Sequence, residues 1–139
     1  MIRIGFEPLS LQKLYRDTTS SASGALVVFD GRVRDHSAGK SVLYLEYEAH
    51  ESMAVREMNT IRQEAMHRWP LDKAVIFHRL GRIEIGESSV LIGIAATHRS
   101  DAFSACRYII DELQKRVPIW KKEFFSGGAV WVDGTFSTP

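Results

Sequence analysis

Hydrophobic and polar positions follow two different periods along this chain. Ala25 to Phe29 is an apolar run that reads as a strand and is expected to continue through Arg32-Val33-Arg34. From Val42 to His50, Leu43, Leu45, Tyr47 and Ala49 alternate with Tyr44, Glu46 and Glu48, the period of two of a half-buried strand. The period then becomes helical. Ala54, Met58, Ile61 and Ala65 are spaced 4, 3 and 4, so a helix is expected from about Ser52 to Arg68, stopped by Pro70. Three strands follow, Ala74 to His78, Arg82 to Ile85 and Ser89 to Thr97, punctuated by Gly81 and Gly86. The last of them is almost wholly apolar and should lie centrally in its sheet. In a second helix, Phe103, Cys106, Ile110, Leu113 and Val117 are spaced 3, 4, 3 and 4, with Ser100 as N-cap, Asp101 at the positive end and Pro118 limiting the other. A short helix, about Ser10 to Arg16, precedes a small polar loop at 18–24. Residues 35–40 form a second loop, and Ala129 to Val132 a final strand. The order of strands, helix, strands, helix, strand favours an α+β fold with a mostly antiparallel sheet and two main helices.

Composition narrows the function classes. The 139 residues are 45% apolar and 25% charged, which suits a single globular domain over 1–139. Lys plus Arg is 18 against 17 for Asp plus Glu, a net charge of +1, whereas a dedicated nucleic-acid binder carries a clear basic surplus. Cys106 is the one cysteine, so neither an internal disulfide nor a Cys-based zinc site is expected. The N-terminus lacks the pattern of a signal peptide, and the longest apolar run, Val90 to Ala96, is far short of a membrane span. A cytoplasmic protein without membrane contact is expected.

Three segments carry candidate chemistry. At Thr97-His98-Arg99-Ser100 a strand gives way to a helix, where free backbone N–H groups and the helix dipole favour an anion; the alternative is a solvated surface turn. At Gly31-Arg32-Val33-Arg34-Asp35-His36, Arg32 and Arg34 would share a strand face and suit a phosphate, or else pair with acids such as Glu46 or Glu48. Past the second helix, Lys115, Arg116, Lys121 and Lys122 fall within Gln114 to Glu123. The helix dipole accounts for the first two cations, not for the lysines beyond Pro118. Neighbouring cations and burial against Trp120 would lower a lysine's pKa and suit it to proton transfer or nucleophilic work. Cys106 sits on the apolar stripe and reads as a packed, inert thiol. His67 and His78 also read as packed or capped residues. There is no histidine pair at metal spacing, no nucleophile elbow and no glycine-rich phosphate loop, so neither metal nor cofactor is expected. The residues alone suggest group transfer on a small anionic substrate, and do not name the group.

At these same segments the chain resembles the MoaE family, the large, catalytic subunit of molybdopterin synthase. The matching pieces are Phe29 to Arg34, Leu45-Glu46-Tyr47-Glu48, Arg68-Trp69-Pro70, His78-Arg79-Leu80-Gly81, His98 to Phe103, and Val117 to Glu123; the resemblance covers about positions 24 to 132. It implies an α/β-hammerhead fold, a homodimer of large subunits, and a small ubiquitin-like sulfur-carrier subunit at each end of a heterotetramer. It also implies sulfur transfer from the carrier's C-terminal Gly-Gly thiocarboxylate to cyclic pyranopterin monophosphate (precursor Z), making the molybdopterin dithiolene. Carried over by position, Arg32, Val33 and Arg34 match the first substrate-binding stretch, His98 and Arg99 the second, and Lys121, Lys122 and Glu123 the third, with Lys121 catalytic. In the family, residues of the neighbouring large subunit enter the pocket. One departure is visible. Where the family has a second functional lysine, in a pattern like Asp-x-Leu-Lys, this chain has Gln114 at that substrate-binding position, with Lys115 next to it as a second catalytic candidate beside Lys121. That departure motivates the alternative of a non-catalytic paralogue that binds the carrier as a scaffold. A phosphate-ligand or RNA-binding module using the basic segments is a third reading.

Overall fold

The computed structural model describes residues 1–132. Its elements are β1 (Ile2–Gly5), α1 (Leu11–Thr18), β2 (Ala25–Arg32), β3 (His36–Ser37), β4 (Lys40–Ala49), α2 (Glu51–Arg68), β5 (Leu71–Arg79), β6 (Gly81–Glu84), β7 (Ser88–Ala96), α3 (Arg99–Arg116), β8 (Ile119–Phe125) and β9 (Gly128–Trp131). One sheet has the order β1-β5-β7-β2, and only the β1–β5 pair is parallel. A second, antiparallel sheet runs β3-β4-β8-β9, with β6 also pairing β4. This is the expected α+β class with a mostly antiparallel sheet.

The period of two explains why β5 and β7 read as continuous apolar runs, since helices cover both faces of their sheet. Ala74 and Ile76 on β5, with Val90, Ile92, Ile94 and Ala96 on β7, join the core beneath α2 and α3. Val75, Phe77 and Leu91 point the other way, against Leu14 of α1. The α2 stripe is as expected: Ala54, Met58, Ile61 and Ala65 are all 0% exposed. Truncating Ile61 or Met58 to alanine would cost about 2–5 kcal/mol. The second sheet closes a smaller core of Val33, Val42, Leu45 and Ile83.

Several local expectations are corrected. Ser100 is not the N-cap of α3; His98 is, and its side chain makes no capping hydrogen bond. Phe103 lies 62% exposed; Cys106, Leu113 and Val117 are buried as expected, and Ala102, Ala105 and Ile109 complete the stripe. Small residues let this helix approach the sheet closely, which turns its large first-turn side chain outward. Leu43 is exposed because the register of β4 skips between Val42 and Tyr44, and that bulge puts Val42 on the same inner side as Leu45. The loop at 35–40 is a tight hairpin between β3 and β4, with Ala38 (φ 50°) and Gly39 (φ 78°) both left-handed, as the two-residue turn requires. Neither β1 nor β8 was anticipated.

Candidate functional site

The order of elements sorts the predicted residues into two groups. β2 and β7 are antiparallel, with Ala25 opposite Ala96 and Arg32 opposite Ser88. Arg32 and Arg34 therefore lie at one end of the pair, and His98 and Arg99 leave from the other. Eight strand residues separate the ends, roughly 26 Å at the usual rise. The 18 residues of α3 retrace that distance, roughly 27 Å, and carry Gln114 and Lys115 back to the arginine end, where β8 begins.

At that end the segment after β2 keeps its alternation: Arg32 is exposed, Val33 is 3% exposed and Arg34 is exposed. Val33 is spent on the core. Its N–H donates to the Glu87 carbonyl at 3.0 Å, and its carbonyl accepts from the Gly86 N–H at 2.9 Å. The Arg32 guanidinium donates to the Gly86 carbonyl and lies 3.8 Å from the Asp30 carboxylate, so its acid partner is neither Glu46 nor Glu48. Arg34 has no side-chain partner among the described residues.

β8 sends its residues alternately to two faces. Lys121 and Glu123 sit opposite Tyr47 and Leu45 of β4, and Glu123 Oε1 accepts from Ser37 Oγ at 3.0 Å, three residues past Arg34. Lys121 is partly buried and has no side-chain partner among the described residues. Lys122 is on the opposite face, with its Nζ 5.4 Å from the Phe124 ring centre and 5.2 Å from that of Trp131. Gln114 and Lys115 are exposed on the last turn of α3. Arg116 is committed elsewhere: it grips both oxygens of Glu64 (2.6 and 3.0 Å) and Glu57 Oε1 (2.7 Å), tying α3 to α2. Those contacts, first of all the Arg116 hydrogen bonds, hold Glu64 down to about 2.

Tyr47 stands behind this group, its phenol raised above the ordinary value by burial and with the Ser89 hydroxyl and Glu123 as electrostatic neighbours. Ser89 Oγ in turn donates to the Gly31 carbonyl at 3.1 Å. His78 meets the Tyr47 ring edge-on at 5.2 Å, and burial lowers its imidazole to about 4, so it is neutral near pH 7. Sequence reasoning missed Tyr47 and Ser89. The alternation of β4 did put Tyr47 on its inner side, but nothing marked Ser89.

At the far end His98 and Arg99 are exposed on the first turn of α3, where the helix has Asp101 but no side-chain cap. The amide donors of that turn and a fixed guanidinium suit an anion. The chain therefore brings Arg32, Arg34, Gln114, Lys115, Lys121 and Glu123 toward one end and leaves His98 and Arg99 at the other. A hollow of about 440 Å³ at the hairpin tips is lined by Lys40, Ser41, Phe125 and residues 126–130, and includes neither Arg34 nor Lys121. Among the described residues no cluster of three or more His, Cys, Asp or Glu could hold a metal. Cys106 is 6% exposed in the main core, and burial pushes its thiol up to about 11. No helix among the described residues is long and apolar enough to cross a membrane.

Comparison with known proteins places the chain by family and by fold. The family model described as MoaE protein matches residues 4–116. The molybdopterin synthase catalytic subunit of Pyrococcus abyssi is 42% identical over 133 residues, 96% of this chain and 90% of that protein. That of Nostoc sp. is 47% identical over 131 residues, 93% and 79% of the two chains. The crystal structure of molybdopterin synthase from Staphylococcus aureus superposes with a TM-score of 0.90 at 37% identity, covering 94% of this chain and 96% of the other. A more distant likeness in fold, at 21% identity and a TM-score of 0.78, is to the complex of subunits 1 and 2 of molybdopterin-converting factor from Helicobacter pylori, covering 94% and 88%. With a family model matching residues 4–116 and identities of 42–47% over more than nine-tenths of its length, this chain belongs to the MoaE family.

Proposed function

We propose that this chain is the catalytic subunit of a molybdopterin synthase, an enzyme of molybdopterin biosynthesis that acts as a sulfurtransferase. Its substrate is cyclic pyranopterin monophosphate, and its sulfur arrives as the C-terminal thiocarboxylate of a small ubiquitin-like carrier. The observation that carries the reading is the gathering of Arg34, Lys121 and Glu123 at one end of the fold, two of them cations with no side-chain partner among the described residues. Lone cations are poised for an anion, and a carrier tail and a phosphorylated pterin both supply one.

The chemistry asked of the chain is modest, because the sulfur is brought in by the carrier. A packed Cys106 is then no obstacle. Arg34 holds the substrate's phosphate or pterin from one side, and His98 with Arg99 at the open turn of α3 from the other. Release of sulfur from an acyl carbon passes through a tetrahedral oxyanion, which the Lys121 ammonium stabilises and to which it can supply a proton. The two basic ends of one protomer are too far apart to share one small substrate. The working unit is therefore a two-fold dimer in which His98 and Arg99 of one protomer complete the site of its partner, with a carrier at each end, in the cytoplasm.

Purified chain, thiocarboxylated carrier and precursor Z should yield molybdopterin. No product where a family enzyme turns over would overturn the proposal. A specific observation favours the scaffold reading: Gln114 is exposed at the usual lysine position and cannot form an amine adduct. Tight carrier binding without turnover, and activity gained in Gln114→Lys, would select it.

A further inference from the structure

The turn between β6 and β7 holds the arginine segment from below. Gly86 and Glu87 make both backbone hydrogen bonds to Val33, and Gly86 also accepts from the Arg32 guanidinium. Gly86 has φ +82°, so the turn depends on a conformation that other residues rarely adopt. Its shape is set by one carboxylate. Glu87 Oε1 accepts the Glu84 N–H at 2.8 Å, closing the turn, while Oε2 lies 3.2 Å from Arg79 Nη1. Arg79 is itself anchored. Only 12% of its side chain is exposed, and Nη2 reaches the Arg82 carbonyl at 3.3 Å. Both Glu87 side-chain oxygens are thus engaged, its backbone carbonyl holds Val33, and the adjacent Gly86 holds Arg32 and Val33. Neither residue lies among the cations that would meet substrate.

We propose that Arg79 and Glu87 are positioning residues, which fix the Gly86 turn and through it the placing of Arg32 and Arg34 toward the substrate's anionic group. The inference rests on the reading of Arg32 and Arg34 as substrate-binding. A nearly buried, doubly bonded guanidinium loses little entropy on holding this geometry, unlike a flexible surface pair. Loosening the turn should therefore weaken the hold on the pterin without disturbing the carrier-facing chemistry of Lys121.

The test is steady-state kinetics with thiocarboxylated carrier and precursor Z, alongside thermal melting. Arg79→Met should raise KM for the pterin on the order of tenfold and leave kcat and the KM for carrier nearly unchanged, with Arg79→Lys recovering most of the loss. Where Arg79→Met fails to fold, Glu87→Gln carries the test, because it keeps an acceptor for the Glu84 amide. Adding Glu87→Gln to the Arg32→Ala, Arg34→Ala double variant should bring little further rise in KM, since the turn acts through those two side chains. A lowered melting temperature with pterin KM unchanged would overturn the inference and leave the pair purely structural. If Arg32→Ala and Arg34→Ala themselves leave the pterin KM unchanged, it is the reading of this end as a substrate site that fails.

Discussion

Two inactive variants of this chain should restore activity when mixed. Arg34→Ala removes a cation from one end of the β2–β7 pair, and Arg99→Ala removes one from the other. The register holds those ends eight residues apart, roughly 26 Å, beyond what side chains of one protomer can span to grip a single small phosphorylated ring system. In a two-fold dimer each site draws one end from each protomer. Refolding the two variants together in equal amounts makes half of the dimers mixed, and every mixed dimer contains one site with both ends intact. About one quarter of all sites should then work, against none in either parent. The assay is molybdopterin formed per protomer, with thiocarboxylated carrier and precursor Z in excess. A mixture no more active than its parents, with both variants folded and dimeric, would refute the shared site.

Other outcomes follow from particular contacts. Lys121→Ala should remove most turnover while Cys106→Ala keeps it, measured with the same assay; equal losses would mean that the thiol takes part. Gly93→Ala should destabilise the fold by about 1–3 kcal/mol in urea titration, because a Cβ there would lie 2.3 Å from the buried Thr18 Oγ1, itself bonded to the Leu14 carbonyl; near-parental stability would show that α1 gives way freely. His78 makes stability depend on acid. Its folded value of about 4 lies below the ordinary 6.5, so the unfolded chain takes up the proton first. The contribution is complete above pH 6.5 and is lost as pH falls toward 4, a change of roughly 3 kcal/mol. Urea-derived stability should fall across that window, and His78→Asn, which can still donate to the Arg79 carbonyl, should flatten the fall; an unchanged slope would count against it.

The helical stripe of α2 could be read directly because its four buried residues keep one period and all lie in the main core against the sheet. The stripe of α3 could be read at Cys106, Leu113 and Val117 but not at Phe103, because the closest approach to the sheet is made by the small Ala102 and Ala105, which carry no bulky apolar signal. β8 is hidden by its charged inward positions. Lys121 and Glu123 occupy inward positions where apolar residues ordinarily mark a strand, so the alternation looks like a charged tail. β1 is four residues long and pairs in parallel with β5, a partner some seventy residues away that no local pattern announces. The candidate site residues stand out in the sequence as motifs. Their division between two ends does not, because it depends on the antiparallel register of β2 with β7 and on the length of α3.

The gap between the two basic ends also bears on inheritance. In the proposed shared-site dimer, a protomer damaged at both ends would spoil both sites of any pair it enters. In a cell making intact and doubly damaged chains in equal amounts, only pairs of intact chains function, about one quarter of the assemblies. Such an allele would act as a poison rather than as a simple loss, and its phenotype would be deeper than that of deleting one gene copy.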